Sequence, residues 1–297
     1  MVTYADKSMQ PQLVTLWRQS FGDSPDYIGM FLDWNFDRIK TIVYVTEDDA
    51  SKPVSVAYLL PVTYVLSNRS ATDEISCWYL YAAATLPEYR GHGYFGDILT
   101  FIEENIPEPV ILVPGERSLI SFYEKRGLHV WLEERRKDIC QNISESIDEG
   151  TEERKKEVLA GISDISTDEY IKIRRDILAE LSAGKQAGYV TWDEQFMKYI
   201  CHENQYCGGA IKQITIADKQ FLVMYRTEKQ VLKVLELVPH THVDECIKSL
   251  QSYLNAREPH GQDAIYQTAE VMLQPTVMAS SRFKADRNAG YFNLIMA

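Results

Sequence analysis

Between residues 81 and 102 the chain passes from a strand of small side chains, Tyr81-Ala82-Ala83-Ala84-Thr85, through a loop containing Arg90-Gly91-His92-Gly93, into a helix. Phe95, Ile98, Leu99 and Ile102 recur at helical spacing and give that helix one apolar face. A glycine-rich run entering a helix N-terminus aims several backbone N–H groups, and the positive end of the helix dipole, at one point, which is a ready site for a pyrophosphate. Gly91 and Gly93 carry no Cβ to hold phosphate oxygens away from the main chain.

A second strand–helix pair follows. Val110-Ile111-Leu112-Val113, bounded by Pro114-Gly115, reads as a short buried strand. The helix after it has Leu119, Phe122 and Tyr123 on one side and ends at Gly127, a left-handed cap. Together the two stretches resemble the GNAT superfamily of N-acetyltransferases. Arg90 and Gly93 stand in the register of that family's coenzyme A loop: Arg or Gln, two residues, Gly, one residue, then Gly or Ala. Phe95 stands where the family has a small residue, and Gly96 comes one place later. The run Phe122-Tyr123-Glu124-Lys125-Arg126-Gly127-Leu128 looks like the family's second signature.

The resemblance covers roughly residues 1–140. It implies acetyl-CoA as cosubstrate, held by Ala83, Ala84, Thr85, Arg90, Gly91, His92, Gly93, Tyr94, Phe95 and Gly96. It also implies that Tyr123 protonates the departing thiolate, and that the acetyl group passes directly to an amine. An amine must be neutral to attack, so a base is expected; Glu74 and Glu116 are its candidates, beside Trp78 and Tyr79 as acceptor-pocket walls.

The preceding residues fit the same template. Leu13, Leu16, Trp17 and Phe21 predict one helix and Tyr27, Phe31 and Trp34 a second. Thr41–Thr46, Val54–Val65 and Trp78–Thr85 predict an antiparallel meander. Past residue 160 the order partly repeats. Ile171, Leu178 and Leu181 predict a helix, and Trp192, Phe196, Met197 and Ile200 another. A hairpin turns at Asp218-Lys219-Gln220, and Val231–Val238 takes the place of the strand before the glycine loop. Pro239-His240-Thr241-His242 replaces the glycines; then come a helix over Val243–Leu254 and strands near Ala264–Leu273 and Gly290–Met296.

The expected architecture is therefore α+β, an α/β/α sandwich in tandem GNAT-like copies, each with a mixed central sheet and the second degenerate. Residues 1–142 form the acetyltransferase domain with the acetyl-CoA site, 143–160 a charged linker, and 161–297 the degenerate GNAT-like copy. At 297 residues two domains are the expectation. An active copy followed by a silent one resembles the enhanced-intracellular-survival type of acetyltransferase. That likeness brings the C-terminal part of the chain toward the first active site, with the Ala297 carboxylate as a candidate base.

No run of about 18 apolar residues is present, so no membrane span is expected. The first residues lack the basic and apolar regions of a signal peptide. Five scattered cysteines imply reduced thiols in a cytoplasm. Cys201, His202 and Cys207 lack a fourth ligand at zinc spacing, and no metal is expected. A formal net charge of −12 disfavours nucleic acid and suits a cationic acceptor, a small-molecule or peptide amine. Two other functions fit the pattern: a non-catalytic coenzyme A sensor or interaction protein, which Phe95 favours, and a tRNA-dependent aminoacyl transferase, which the acidic balance and the glycine loop oppose.

Overall fold

The computed structural model describes residues 1–47, 52–67, 72–140, 161–183, 188–256, 268–284 and 290–292. The charged stretch 143–160 and Ala297 lie outside the described residues.

The first helices are α1 (Gln10–Phe21) and α2 (Pro25–Asn35). Gly22 closes α1 at φ 84°, and the Ser24 side chain caps α2 by accepting from the Tyr27 amide at 3.2 Å. Strands β1 (Val2–Tyr4), β2 (Lys40–Val45), β3 (Pro53–Ser67) and β4 (Thr72–Thr85) make the antiparallel part of the first sheet. Helix α3 (Tyr94–Asn105) leads to β5 (Val110–Leu112), which pairs parallel to β4. The short α4 (Ile120–Glu124) precedes β6 (Leu128–Leu132) and β7 (Arg135–Cys140).

After β8 (Ile162–Asp164) come α5 (Thr167–Ser182), β9 (Gly188–Thr191) and α6 (Glu194–Tyr206). Strands β10 (Ala210–Ile216) and β11 (Lys219–Glu228) form the expected hairpin, with Ala217 and Asp218 both at positive φ in a two-residue turn. Then follow β12 (Val231–Val238), α7 (Val243–Asn255), β13 (Thr268–Gln274), β14 (Val277–Ser280) and β15 (Gly290–Tyr291).

The strands form two mixed sheets. The first runs β1-β2-β3-β4-β5-β14-β6, with β9 on the far end of the long β3 and β15 parallel to β9; the second runs β7-β13-β12-β11-β10-β8. The sheets therefore exchange strands across the 142–161 boundary: β7 joins the second sheet, while β9, β14 and β15 join the first. Gly188 makes one of these exchanges possible, because a Cβ there would lie 2.5 Å from both the Tyr64 ring and the Val65 carbonyl on β3.

The layering follows from which faces are apolar. Helix α3 covers one face of the first sheet through Ile98, Leu99 and Ile102, and α7 covers the outer face of the second through Cys246, Ile247 and Leu250. Helices α1, α2, α5 and α6 share one continuous core between the sheets, including Trp17, Phe31, Tyr58, Tyr170, Phe196, Tyr199 and Met224. Residues of both halves meet there, so the two copies are packed as one body of core.

Candidate active site

Strand β4 carries the geometry on which the site depends. It pairs with β5 only from Trp78 opposite Val110 to Leu80 opposite Leu112, then parts from β5 and continues to Thr85. On its other edge the register with β3 shifts between Tyr58–Tyr81 and Val56–Ala84, so Ala82 and Ala83 bulge out, with Ala82 at φ 45°. Parting of β4 from β5 and the bulge leave main-chain groups beside small side chains in one place. Ser55 fixes the far side, donating to the Ala84 carbonyl at 3.0 Å and lying 2.8 Å from the Thr85 hydroxyl.

The glycine loop follows. Gly93 stands at the N-cap of α3 with φ 86°, and no side chain caps the helix. The first free amide partner inside the helix is the Gly93 carbonyl, taken by Asp97 at 3.0 Å, so the amides before Asp97 point outward. A Cβ at Gly91 or Gly93 would meet nothing within 4 Å. Arg90 ties the loop to the strand through its Nε, which donates to the Thr85 carbonyl at 3.1 Å. Tyr94 stacks on Tyr44 at 4.1 Å, and the His92 ring stacks on Tyr94 at 5.5 Å. The Arg126 guanidinium lies over Gly96, where an added Cβ would sit 3.5 Å from Nη2. Uncapped amides, open space above two glycines and a nearby guanidinium fit the pyrophosphate of coenzyme A.

Phe95, the departure from the family pattern, turns its ring away from the loop onto α4. It stacks on Phe122 at 5.9 Å and meets Tyr123 edge-on at 6.4 Å. Tyr123 is buried, and burial pushes its hydroxyl up to about 12, so it is protonated throughout the neutral range. Gly127 ends this turn at φ 83° as expected, whereas Leu119 faces solvent. Burial pushes the Tyr79 hydroxyl up, and so, to a lesser extent, do Tyr81 and Tyr123.

The remaining candidates do not gather here. Glu74 is exposed near the start of β4, and Glu116 is exposed and accepts from Ser118 at 3.0 Å. Trp78 packs with the α3 side of the sheet and donates to Glu108 at 3.2 Å. Cys201 is buried, His202 stacks on Trp34 at 5.1 Å, and Cys207 lies 3.8 Å from Glu203. Among the described residues no three His, Cys, Asp or Glu side chains converge as metal ligands.

A polar cluster that the sequence analysis did not single out lies behind β4. Glu203 of α6 is buried, and its Oε1 accepts from the Tyr27 hydroxyl of α2 at 3.2 Å. Its Oε2 accepts from Arg226 Nη2 of β11 at 2.6 Å, and Arg226 Nε donates to Asn204 at 3.0 Å. Tyr27 is also hydrogen-bonded to Tyr81. Burial pushes the Glu203 carboxyl up, and Arg226 and Tyr27 draw it back only in part. The signal was present: Glu203 follows Phe196, Tyr199 and Ile200 by seven, four and three residues, the register of the helix's buried face.

No protein-family model and no curated protein matches this sequence. Solved structures do match. A probable N-acyltransferase from Enterococcus faecalis superposes with a TM-score of 0.63 at 14% identity over 94% of this chain and 72% of that one. A GCN5-related N-acetyltransferase from Kribbella flavida gives 0.62 at 14% identity, over 94% and 70%. Eis1 from Mycobacterium abscessus gives 0.53 at 11% identity, over 91% and 65%. None of the described helices is long and apolar enough to cross a membrane. The chain thus has the tandem fold of the GCN5-related N-acetyltransferases.

Proposed function

We propose that this chain is an N-acetyltransferase that moves an acetyl group from acetyl-CoA directly to the primary amine of a small molecule or peptide, in the cytoplasm and without a metal. The observation that carries the reading is the uncapped N-terminus of α3, set beside the bulged end of β4 and the buried hydroxyl of Tyr123. The fold shared with solved N-acetyltransferases supports it. On this reading residues 1–142 supply the acetyl-CoA site, and residues 161–297 are the silent copy.

Acetyl-CoA supplies the activated acyl group. The amides from Gly91 to Gly96, with Arg90, His92 and Tyr94 shaping the loop and Arg126 adjacent, hold the pyrophosphate. Ala83, Ala84 and Thr85 hold the pantetheine arm and the thioester carbonyl against exposed main chain, fixing its orientation and polarity. Tyr123, kept protonated by burial, gives its proton to the sulfur as the carbon–sulfur bond breaks.

Calorimetric titration with acetyl-CoA tests this directly. Wild type binds saturably. Gly93→Glu, which places a carboxylate at a left-handed position in the cradle, loses at least about 100-fold in affinity. Tyr123→Phe keeps acetyl-CoA binding and lowers kcat about 100-fold. Absence of binding to wild type would end the reading. Binding without transfer to any amine would leave a coenzyme A sensor.

A further inference from the structure

The inner face of β4 meets two rings that the transfer chemistry above leaves unused. Side chains alternate along the strand: Trp78 and Leu80 join α3 and Tyr123 in one apolar layer, whereas Tyr79 enters the layer between the sheets. There Tyr79 meets Trp192, from the turn between β9 and α6, at 5.7 Å. It also meets Phe292, the residue after β15, at 5.8 Å, and Trp192 and Phe292 lie 6.5 Å apart. Three separate segments thus build one aromatic corner. It stands one residue before Leu80, where β4 makes its last pair with β5.

Two observations set this corner apart from ordinary core. Trp192 is only 4% exposed, and its indole N–H, a donor that cannot accept, has no hydrogen-bond partner among the described residues. Packing alone calls for no buried donor. Phe292, moreover, is held by an anchor. Strand β15 is only two residues long, and Tyr291 donates its hydroxyl to Glu236 at 3.0 Å, a carboxylate already fixed by Arg174 at 2.9 Å. An acid of the second copy therefore helps to set the third ring against β4. Helix α3, whose N-terminus takes the coenzyme on the reading above, lies with Tyr123 on the opposite face. The inner face is then the side from which an amine reaches the gap beyond Leu80.

We infer that Tyr79, Trp192 and Phe292 wall the acceptor pocket, and that it selects primary amines carrying a flat apolar body with a hydrogen-bond acceptor for the Trp192 N–H. The inference rests on the acetyltransferase reading and gives it a substrate class. The rings take the apolar body out of water, and their faces attract the ammonium as it enters. Two of the three rings, and the anchor of one of them, come from the second half of the chain, so that half selects what the first acetylates. Tyr291 and Glu236 act through Phe292 and are positioning residues.

Initial rates with ethylamine, phenethylamine and tyramine test the pocket, beside an acetyl-CoA titration of each protein. Wild type should favour phenethylamine over ethylamine by at least about 30-fold in kcat/KM, for the buried ring. It should favour tyramine over phenethylamine by about fivefold, for the hydrogen bond from Trp192 to the phenol oxygen. Trp192→Phe keeps a ring and removes the donor, so the second preference should vanish while most of the first remains. Tyr291→Phe leaves the Arg174–Glu236 ion pair in place. It should raise KM for both aromatic amines about tenfold, with kcat and acetyl-CoA affinity unchanged. Equal kcat/KM for ethylamine and phenethylamine in wild type, or a tyramine preference that survives Trp192→Phe, would overturn the pocket. So would a Tyr291→Phe protein that loses acetyl-CoA binding together with activity, because the anchor would then be merely structural. Wild type that binds acetyl-CoA and acetylates none of the three amines also overturns it. Wild type that fails to bind acetyl-CoA removes the underlying reading first.

Discussion

The junctions β4–α3 and β12–α7 are built alike and finished differently. Each central strand bulges just past the point where its parallel neighbour stops: β4 at Ala82–Ala83 after the Leu80–Leu112 pair, and β12 at Leu235 after the Val234–Val271 pair. Beyond the first bulge stand Ala84 and Thr85, whereas beyond the second stands Glu236, buried and gripped by Arg174, Tyr170 and Tyr291. Helix α3 begins at an uncapped glycine with Asp97 as the acid of its first turn. Helix α7 begins at His242, with φ 53°, and carries Asp244 and Glu245 there. Asp244 also pairs with Lys137 at 2.7 Å. A helix N-terminus serves an outside anion only where the chain does not supply its own. The second junction has been filled from within at the strand, and its helix starts on two acids behind a histidine where the first starts on a glycine.

Emptying the strand side should produce the largest effect. Glu236→Ala leaves the Arg174 guanidinium buried without its bidentate partner, and should cost about 3–5 kcal/mol in chemical denaturation at neutral pH. Burial alone would raise the Glu236 carboxyl, but Arg174 and the two tyrosines hold it below its ordinary 4.5. The folded pKa lies below the unfolded one, so the contribution is complete above 4.5 and is lost as pH falls through the lower folded value. The gap between wild type and variant should therefore be flat at neutral pH and narrow only in acid. A gap that grew with acid would contradict the assignment of Glu236 as a paired carboxylate.

The same contrast explains what the sequence made legible. Glycines at Gly91 and Gly93, helical spacing from Ile98 to Ile102, and the turn ended by Gly127 are local signals, and local chemistry fixes them. The β10–β11 hairpin was readable for the same reason, although its turn falls on Ala217–Asp218 and not on Asp218–Gln220, and so was the bare loop of the second copy. Strand partners were not. Nothing local in Gly188–Thr191 or Val277–Ser280 says that they pair with β3, β5 and β6 of the other copy, because edge hydrogen bonds are the same for every sequence. The buried acids were half legible. Glu236 stands within the apolar run Val231–Val238, turned by the bulge at Leu235 to the face opposite Leu232 and Val234, and Glu203 stands in the buried register of α6. Their registers announce burial. Their partners, Arg174 at 62 residues' separation and Tyr27 at 176, come only from the tertiary fold.

The smallest effect expected tests whether the helix end alone makes the site. His242→Gly combined with Asp244→Asn and Glu245→Gln gives α7 a glycine start like that of α3, without even the first-turn acid that α3 keeps at Asp97. Relief of the left-handed His242 is worth about 1 kcal/mol, and the two lost carboxylates each cost roughly 0.3–1 kcal/mol at the dipole. Net stability should move by about 1 kcal/mol or less in thermal melts. Acetyl-CoA should still titrate to one equivalent per chain, because Glu236 continues to occupy the strand side of the junction and no small-residue run lies beneath the loop. A second equivalent would show that amides and dipole suffice without the bulged alanine strand. The difference between the copies would then lie in three side chains at the start of α7 and not in the strand that precedes it.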